Sequence, residues 1–209
     1  IKSSAASDVY KRQQENAVKP IEPVFLDFKK DMSQLTAKSD IPVLYKQNTT
    51  NDLFQLIYVF DMGNNNDKAL GTAFDYLEYL GTSDMTPEEL KSEFYRLACT
   101  FYVSPGNERT YVVLSGLNEN MPAAIQLFEK LLADAQVNKE AYDNLVGDIL
   151  KARADAKLNQ GQNFSRLMNY AMYGPKSPAT NLLTEAELAS MNPQELVDRI
   201  QQTLRIAVH

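Results

Sequence analysis

With 209 residues, 44% of them hydrophobic and 23% charged, the chain is long enough to bury a core and falls in the globular class. Its 21 basic and 27 acidic residues leave a net charge of −6, dispersed along the sequence, which argues against nucleic acid or an anionic membrane surface as partner. One histidine is present, the final residue His209, so no Ser–His–Asp triad, Cys–His dyad or two-histidine zinc site can be assembled inside the fold.

No apolar run approaches the roughly 18 residues of a membrane span. The greasiest stretch, Leu53–Phe60, is short and carries Gln55. A lone cysteine, Cys99, rules out an internal disulfide, and its neighbours Leu97, Ala98 and Phe101 mark it as a buried small hydrophobe.

In chain order, residues 1–13 (IKSSAASDVYKRQ) are small, polar and follow neither the helical nor the strand period; they look like translated adapter read-through. Residues 1–19 are therefore read as a non-native or linker leader, and 20–209 as a single domain. Pro20 and Pro23 open an extended entry. Strands are expected at 32–37, 43–47 and 53–62, which are rich in aromatic and β-branched residues between polar turns. The turn at 63–67 (GNNND) precedes a helix near 67–80, where Leu70, Ala73, Phe74, Leu77 and Leu80 recur at helical spacing up to Gly81.

Thr86, Pro87 and Glu89 spell an N-cap, a first-turn proline and the reciprocal residue of a capping box, so a helix is expected from there to about Cys99. A hairpin follows, with strands at 101–104 and 110–116 joined by Pro105-Gly106-Asn107. Helices are then expected at 122–135, with Ile125, Phe128, Leu131 and Leu132 on one stripe, and at 139–158, with Tyr142, Leu145, Val146, Ile149 and Leu150. Gly161 reads as an interruption before a helix at 164–173; 174–178 must turn, and short helices are expected at 184–191 and 193–204. Arg205-Ile206-Ala207-Val208 reads as the start of a strand, which describes a domain truncated at its C-terminus and prone to self-association. Strands first and helices later make an α+β fold, with a mostly antiparallel sheet and helices packed on one face.

The order of these elements, and several local words, resemble the M16 (insulinase/pitrilysin-type) zinc metallopeptidases. Phe60-Asp61-Met62-Gly63, Tyr76-Leu77-Glu78-Tyr79 and Gly81-Thr82 resemble the surroundings of the family's metal-binding helix. The segment 111–119 (YVVLSGLNE) resembles the strand and turn before the family's next helix, and 127–134 (LFEKLLAD) and 173–178 (YGPKSP) resemble segments of the third unit of long single-chain bacterial members. The resemblance covers roughly residue 20 onward and implies a LuxS/MPP-like metallopeptidase domain, one of four that close around a peptide. By resemblance alone it implies a periplasmic or cell-envelope setting.

An active unit of the family carries His-x-x-Glu-His on this helix, because residues at i and i+4 share a face and bring two imidazoles to one metal, with the Glu beside the bound water. The matching positions here are Asp75, Glu78 and Tyr79: a carboxylate, the base-like glutamate, and a phenol that stays protonated near neutrality. The family's third ligand is a glutamate on a later helix. The matching stretch here is Asp148-Ile149-Leu150-Lys151-Ala152-Arg153, and no glutamate occurs between Ala141 and Thr184.

By this reading the chain holds neither catalytic residues nor a metal or other cofactor, and zinc belongs to the catalytic domain of the parent metalloendopeptidase. Its partners are the other M16 domains of the same polypeptide and the peptide substrate in the chamber. The alternative is a free-standing, non-enzymatic binding or assembly module of the same fold. A small enzyme working through Asp75 and Glu78 alone is disfavoured: the pair reads as a solvated polar face opposite Ala73, Phe74 and Leu77. Tyrosines 76, 79, 95, 102 and 111 read as core and rim packing rather than as a ligand platform.

Overall fold

The computed structural model describes residues 22–206 except 24 and 179. The leader at 1–19, residues 207–208 of the expected terminal strand, and His209 lie outside the described residues. In chain order the elements are β1 (Ser33–Thr36), β2 (Pro42–Tyr45), β3 (Leu53–Phe60), α1 (Leu70–Leu77), α2 (Pro87–Arg96), β4 (Cys99–Pro105), β5 (Thr110–Leu117), α3 (Met121–Asp134), α4 (Lys139–Leu158), α5 (Gln160–Tyr173), α6 (Glu185–Ser190) and α7 (Pro193–Ile206). At 51% helix and 20% strand, with every strand pairing antiparallel, the fold is α+β as expected.

The described residues group into two compact units. One holds the residues up to Thr36 together with Pro42–Lys46; the other holds Ala37–Ile41 and everything from Gln47 onward. The first is built on the hairpin of β1 and β2, which runs in register from Ser33 opposite Tyr45 to Thr36 opposite Pro42, with Leu35, Leu44 and Tyr45 all exposed.

The second unit contains a three-stranded sheet of order β3-β5-β4. Alternation along each strand sorts the side chains to two faces. Phe54, Phe60, Val112, Leu114 and Cys99 point into the core, with Leu56, Tyr58, Phe101 and Val103 partly buried against it. Helix α3 packs on β5, and α1 and α2 pack on β4. Aromatic rings knit the layers: Phe101 lies 5.1 Å from Phe128 of α3 and 5.2 Å from Phe94 of α2, centroid to centroid.

At the centre of the helical layer is α1. Leu70, Gly71, Ala73, Phe74, Tyr76 and Leu77 are all buried, and α7, β4 and α4 pack around them. Tyr76 carries the one polar group on this face. Its hydroxyl donates to the Asn138 carbonyl at 2.6 Å and accepts from the Asn138 N–H at 3.0 Å, so its burial leaves nothing unpaired. Edge-on to it stands Tyr142, whose hydroxyl donates to the Leu188 carbonyl at 2.6 Å.

Local chemistry explains the boundaries, including those the sequence misplaces. The Thr86 capping box forms as its spacing predicts: Thr86 Oγ1 accepts from the Glu89 N–H, and the Glu89 carboxylate accepts from the Thr86 N–H. A second box joins Thr184 and Glu187 at the start of α6. Helix α2 ends at Arg96 rather than near Cys99, because Ala98 takes a left-handed turn (φ 48°) that sends Cys99 directly into β4. Gly161 does not interrupt: it lies inside α5. The break falls at Asn159, whose extended backbone ends α4 while its side chain accepts from the Gln162 N–H at 3.0 Å to start α5.

The expected terminal strand is also corrected, since Arg205 and Ile206 complete α7, an amphipathic helix anchored by Leu196, Val197 and Ile200. Glycine is required where β5 meets β4, since a Cβ on Gly116 would stand 2.4 Å from Cys99 Sγ and 2.5 Å from the Ala98 carbonyl oxygen.

Helix α5 has no buried residue, and Phe164, Leu167, Met168 and Met172 are all exposed. Arg166 and Asn169 are the more sheltered positions, so its polar side faces inward. A direct stability comparison follows. Phe128→Ala empties a fully buried site and should cost about 3–5 kcal/mol in denaturant unfolding, whereas Phe164→Ala should shift stability by no more than about 0.5 kcal/mol. Equal losses would contradict the packing described.

Candidate functional site

Because α1 buries most of its circumference, what remains for solvent is one short stripe. Asp75 is on it; the helix expected to residue 80 ends at Leu77, so Glu78 is its C-cap and Tyr79 lies in the turn just beyond, both exposed next to it. This stripe lies beside β4. The Glu78 carboxylate accepts a hydrogen bond from the backbone N–H of Val103 at 3.3 Å. The Lys91 ammonium of α2 stands 5.8 Å from the centroid of the Tyr79 ring, within range of a cation–π contact. A cavity of about 420 Å³ runs along this junction, lined by Glu78, Tyr79, Lys91, Tyr95, Cys99 and Phe101 among others.

Asp75 is accessible as a residue, but neighbouring atoms strip water from its carboxyl and the Glu78 charge lies one turn away, so its pKa is raised, desolvation being the larger cause. Asp148, on the stretch matching the third ligand of the resembled family, is exposed on α4 and shares no hydrogen bond or ion pair with Asp75, Glu78 or Tyr79. Among the described residues no three His, Cys, Asp or Glu side chains converge as a metal-binding group. Cys99 is buried as expected; its thiol donates to the Leu97 carbonyl at 3.2 Å, and burial pushes its pKa up, which suppresses the thiolate.

The tyrosines do not behave as one class. Tyr76 is core, as packing predicts, but Tyr95 is 88% exposed and Tyr102 48%, so packing fails as their explanation. Tyr102 belongs to a feature that escapes the sequence reading. On the face of the three-stranded sheet away from the helices, Leu53, Ile57 and Val59 of β3, Tyr102 of β4 and Tyr111 of β5 are all exposed. In register they form rows: Ile57 opposite Val113 opposite Tyr102, and Val59 opposite Tyr111. The signal was present in β3, whose eight residues LFQLIYVF are apolar on both faces except at Gln55.

At the level of sequence no family model and no curated protein matches the chain. Solved structures do. The periplasmic protease PqqL from Escherichia coli superposes with a TM-score of 0.71 at 14% identity, over 100% of this chain and 25% of that one. This chain has the fold of an M16 peptidase domain.

A peptidase M16 inactive domain from Pseudomonas fluorescens matches with a TM-score of 0.69 at 14% identity, over 81% of this chain and 42% of that one. The ferredoxin protease FusC, solved in complex with Arabidopsis ferredoxin, gives 0.69 at 12% identity, over 94% and 25%. The chain thus spans a quarter to two-fifths of the length of these M16 structures.

The Asp75 environment has a pH consequence. A carboxyl whose folded pKa is raised above its unfolded value takes up protons on folding, so its contribution to stability is most favourable in acid and declines as pH climbs from the unfolded value through the folded one. Asp75→Asn should therefore raise the melting temperature at neutral pH, and the gain should shrink as pH falls from above toward the ordinary carboxylate range. A gain that grows in acid would reverse the assignment.

Proposed function

We propose that this M16-like domain is catalytically inactive and forms part of the peptide-enclosing chamber of a zinc metalloendopeptidase whose metal is held by another domain of the same protein. The observation that carries the chamber role is the bare apolar sheet face. Leu53, Ile57, Val59, Tyr102 and Tyr111 present aliphatic and aromatic surface on rigid, paired strands, which suits capture of an extended peptide without demanding one sequence. Surface of this kind left open to water marks an interaction site more often than accident.

Inactivity is supported by the chemistry of the α1 stripe. Where two imidazoles would be needed, Asp75 and Tyr79 stand, and the Tyr79 ring lies near an ammonium rather than turned to a ligand-rich site. Glu78 already accepts from a backbone N–H. These residues do not fit a tetrahedral zinc, which draws on imidazole, thiolate and carboxylate donors converging within about 2.0–2.3 Å, and a general base with no metal to acidify its water has little to act on. The likeness to an inactive M16 domain and to multi-domain M16 proteases supports the same reading.

Two measurements test it. Elemental analysis of the tag-free chain after dialysis, repeated on a His209→Ala variant, should find far less than one zinc per chain; stoichiometric, tightly held zinc would overturn the inactive assignment. In the full protein, Glu78→Gln should leave peptide turnover within a few-fold, against the loss of about a hundredfold or more expected on removing a true base. Ile57→Ser combined with Tyr102→Ser should instead raise KM by about tenfold with kcat little changed, as loss of binding that is uniform along the reaction requires. Unchanged KM would remove the sheet face from the chamber.

A further inference from the structure

We propose that Glu78 closes the free edge of β4 against strand pairing. In the sheet order β3-β5-β4, one side of β4 faces β5 and the other has no strand beside it among the described residues. Along an antiparallel pair the inter-strand hydrogen bonds alternate, so every second residue turns both its N–H and its C=O outward. Val103 is one of these, because its N–H is given to Glu78 and not to β5.

The parity then assigns the rest of the strand. Cys99, Phe101 and Pro105 turn outward with Val103, while Thr100, Tyr102 and Ser104 face β5. The close approach of Gly116 to its register partner Cys99, where any Cβ on residue 116 would stand only 2.7 Å from Cys99 Cα, is what an outward-turned, non-hydrogen-bonded pair produces.

On this edge the C-terminal half offers an incoming strand carbonyl acceptors but no free N–H donor. Pro105 has no N–H, and the N–H of Val103 is taken by a carboxylate. An extended chain that tried to pair would also bring its carbonyl oxygens against the Glu78 charge. Exposed strand edges recruit other chains unless something blunts them, and an inward-leaning charge beside a proline is an effective block. Glu78 is placed for this by α1, whose burial fixes the direction in which the stripe faces. The carboxylate at the base-like position thus has a structural partner here, and it works through the backbone of β4 and not on a water molecule. This inference is independent of the chamber role and is tested without any peptide substrate.

Amide hydrogen exchange, read residue by residue by NMR on the ¹⁵N-labelled chain, tests it. In the unaltered protein the Val103 amide should be protected although it lies on a sheet edge. Glu78→Gln, whose side-chain oxygen can still accept, should keep most of that protection, and Glu78→Ala should lose it by about tenfold, the scale of one hydrogen bond to a charged acceptor. The amides of Tyr102 and Ser104, which face β5, should hold their rates in all three and so report that the sheet is intact. Sedimentation should show Glu78→Ala self-associating more than the unaltered chain, and adding Val103→Pro, which deletes the released donor at an edge position that tolerates proline, should cancel the increase. A Val103 amide exchanging at its unprotected rate in the unaltered protein, or equal protection in Glu78→Ala, overturns the hydrogen bond. Unchanged self-association in Glu78→Ala overturns the closing of the edge.

Discussion

The burial of α1 is the constraint on which the rest of the second unit depends. Six of its eight residues are removed from water, and α7, β4 and α4 are the surfaces that remove them. A helix so enclosed has no rotational freedom left, since turning it would expose Phe74 or Leu77 and bury a carboxylate, each costing kilocalories. Tyr76 adds direction to what would otherwise be greasy packing: its hydroxyl fits only where the Asn138 backbone can both give and accept a hydrogen bond. The stripe of Asp75, Glu78 and Tyr79 is accordingly held at one orientation beside β4.

In a metal-bearing unit the same enclosure would aim ligands with little reorganisation, the preorganisation that catalysis exploits. In this chain it aims a carboxylate at a strand edge and a phenol at a lysine. The fold is likened to those of proteases at 12–14% identity, and likeness of fold does not by itself carry chemistry.

The sheet divides labour between its faces. The face toward the helices is conventional core, with rings of Phe94, Phe101 and Phe128 in contact. The opposite face keeps apolar side chains that a solvated sheet would replace with polar ones, and Val113, between its register partners Ile57 and Tyr102, is buried there. The inward polar side of α5 and its outward Phe164, Leu167 and Met168 are a second departure from ordinary amphipathicity.

The sequence by itself determined whatever is decided within a few residues or by counting. One histidine at the terminus settles the absent imidazoles; the Thr86-Pro87-Glu89 spacing places a helix start; the period of Leu70, Ala73, Phe74 and Leu77 finds α1 and predicts that Asp75, Glu78 and Tyr79 share a face. These signals are local, since hydrogen bonds at caps and the 3.6-residue period involve only near neighbours. Tertiary structure alone decided the rest. The left-handed Ala98 that cuts α2 short is stabilised by the pairing of β4 with β5. Which face of β3 stays bare, and that Glu78 meets the Val103 N–H, depend on elements 25 or more residues apart coming together, and no period along the chain records a contact that only packing creates.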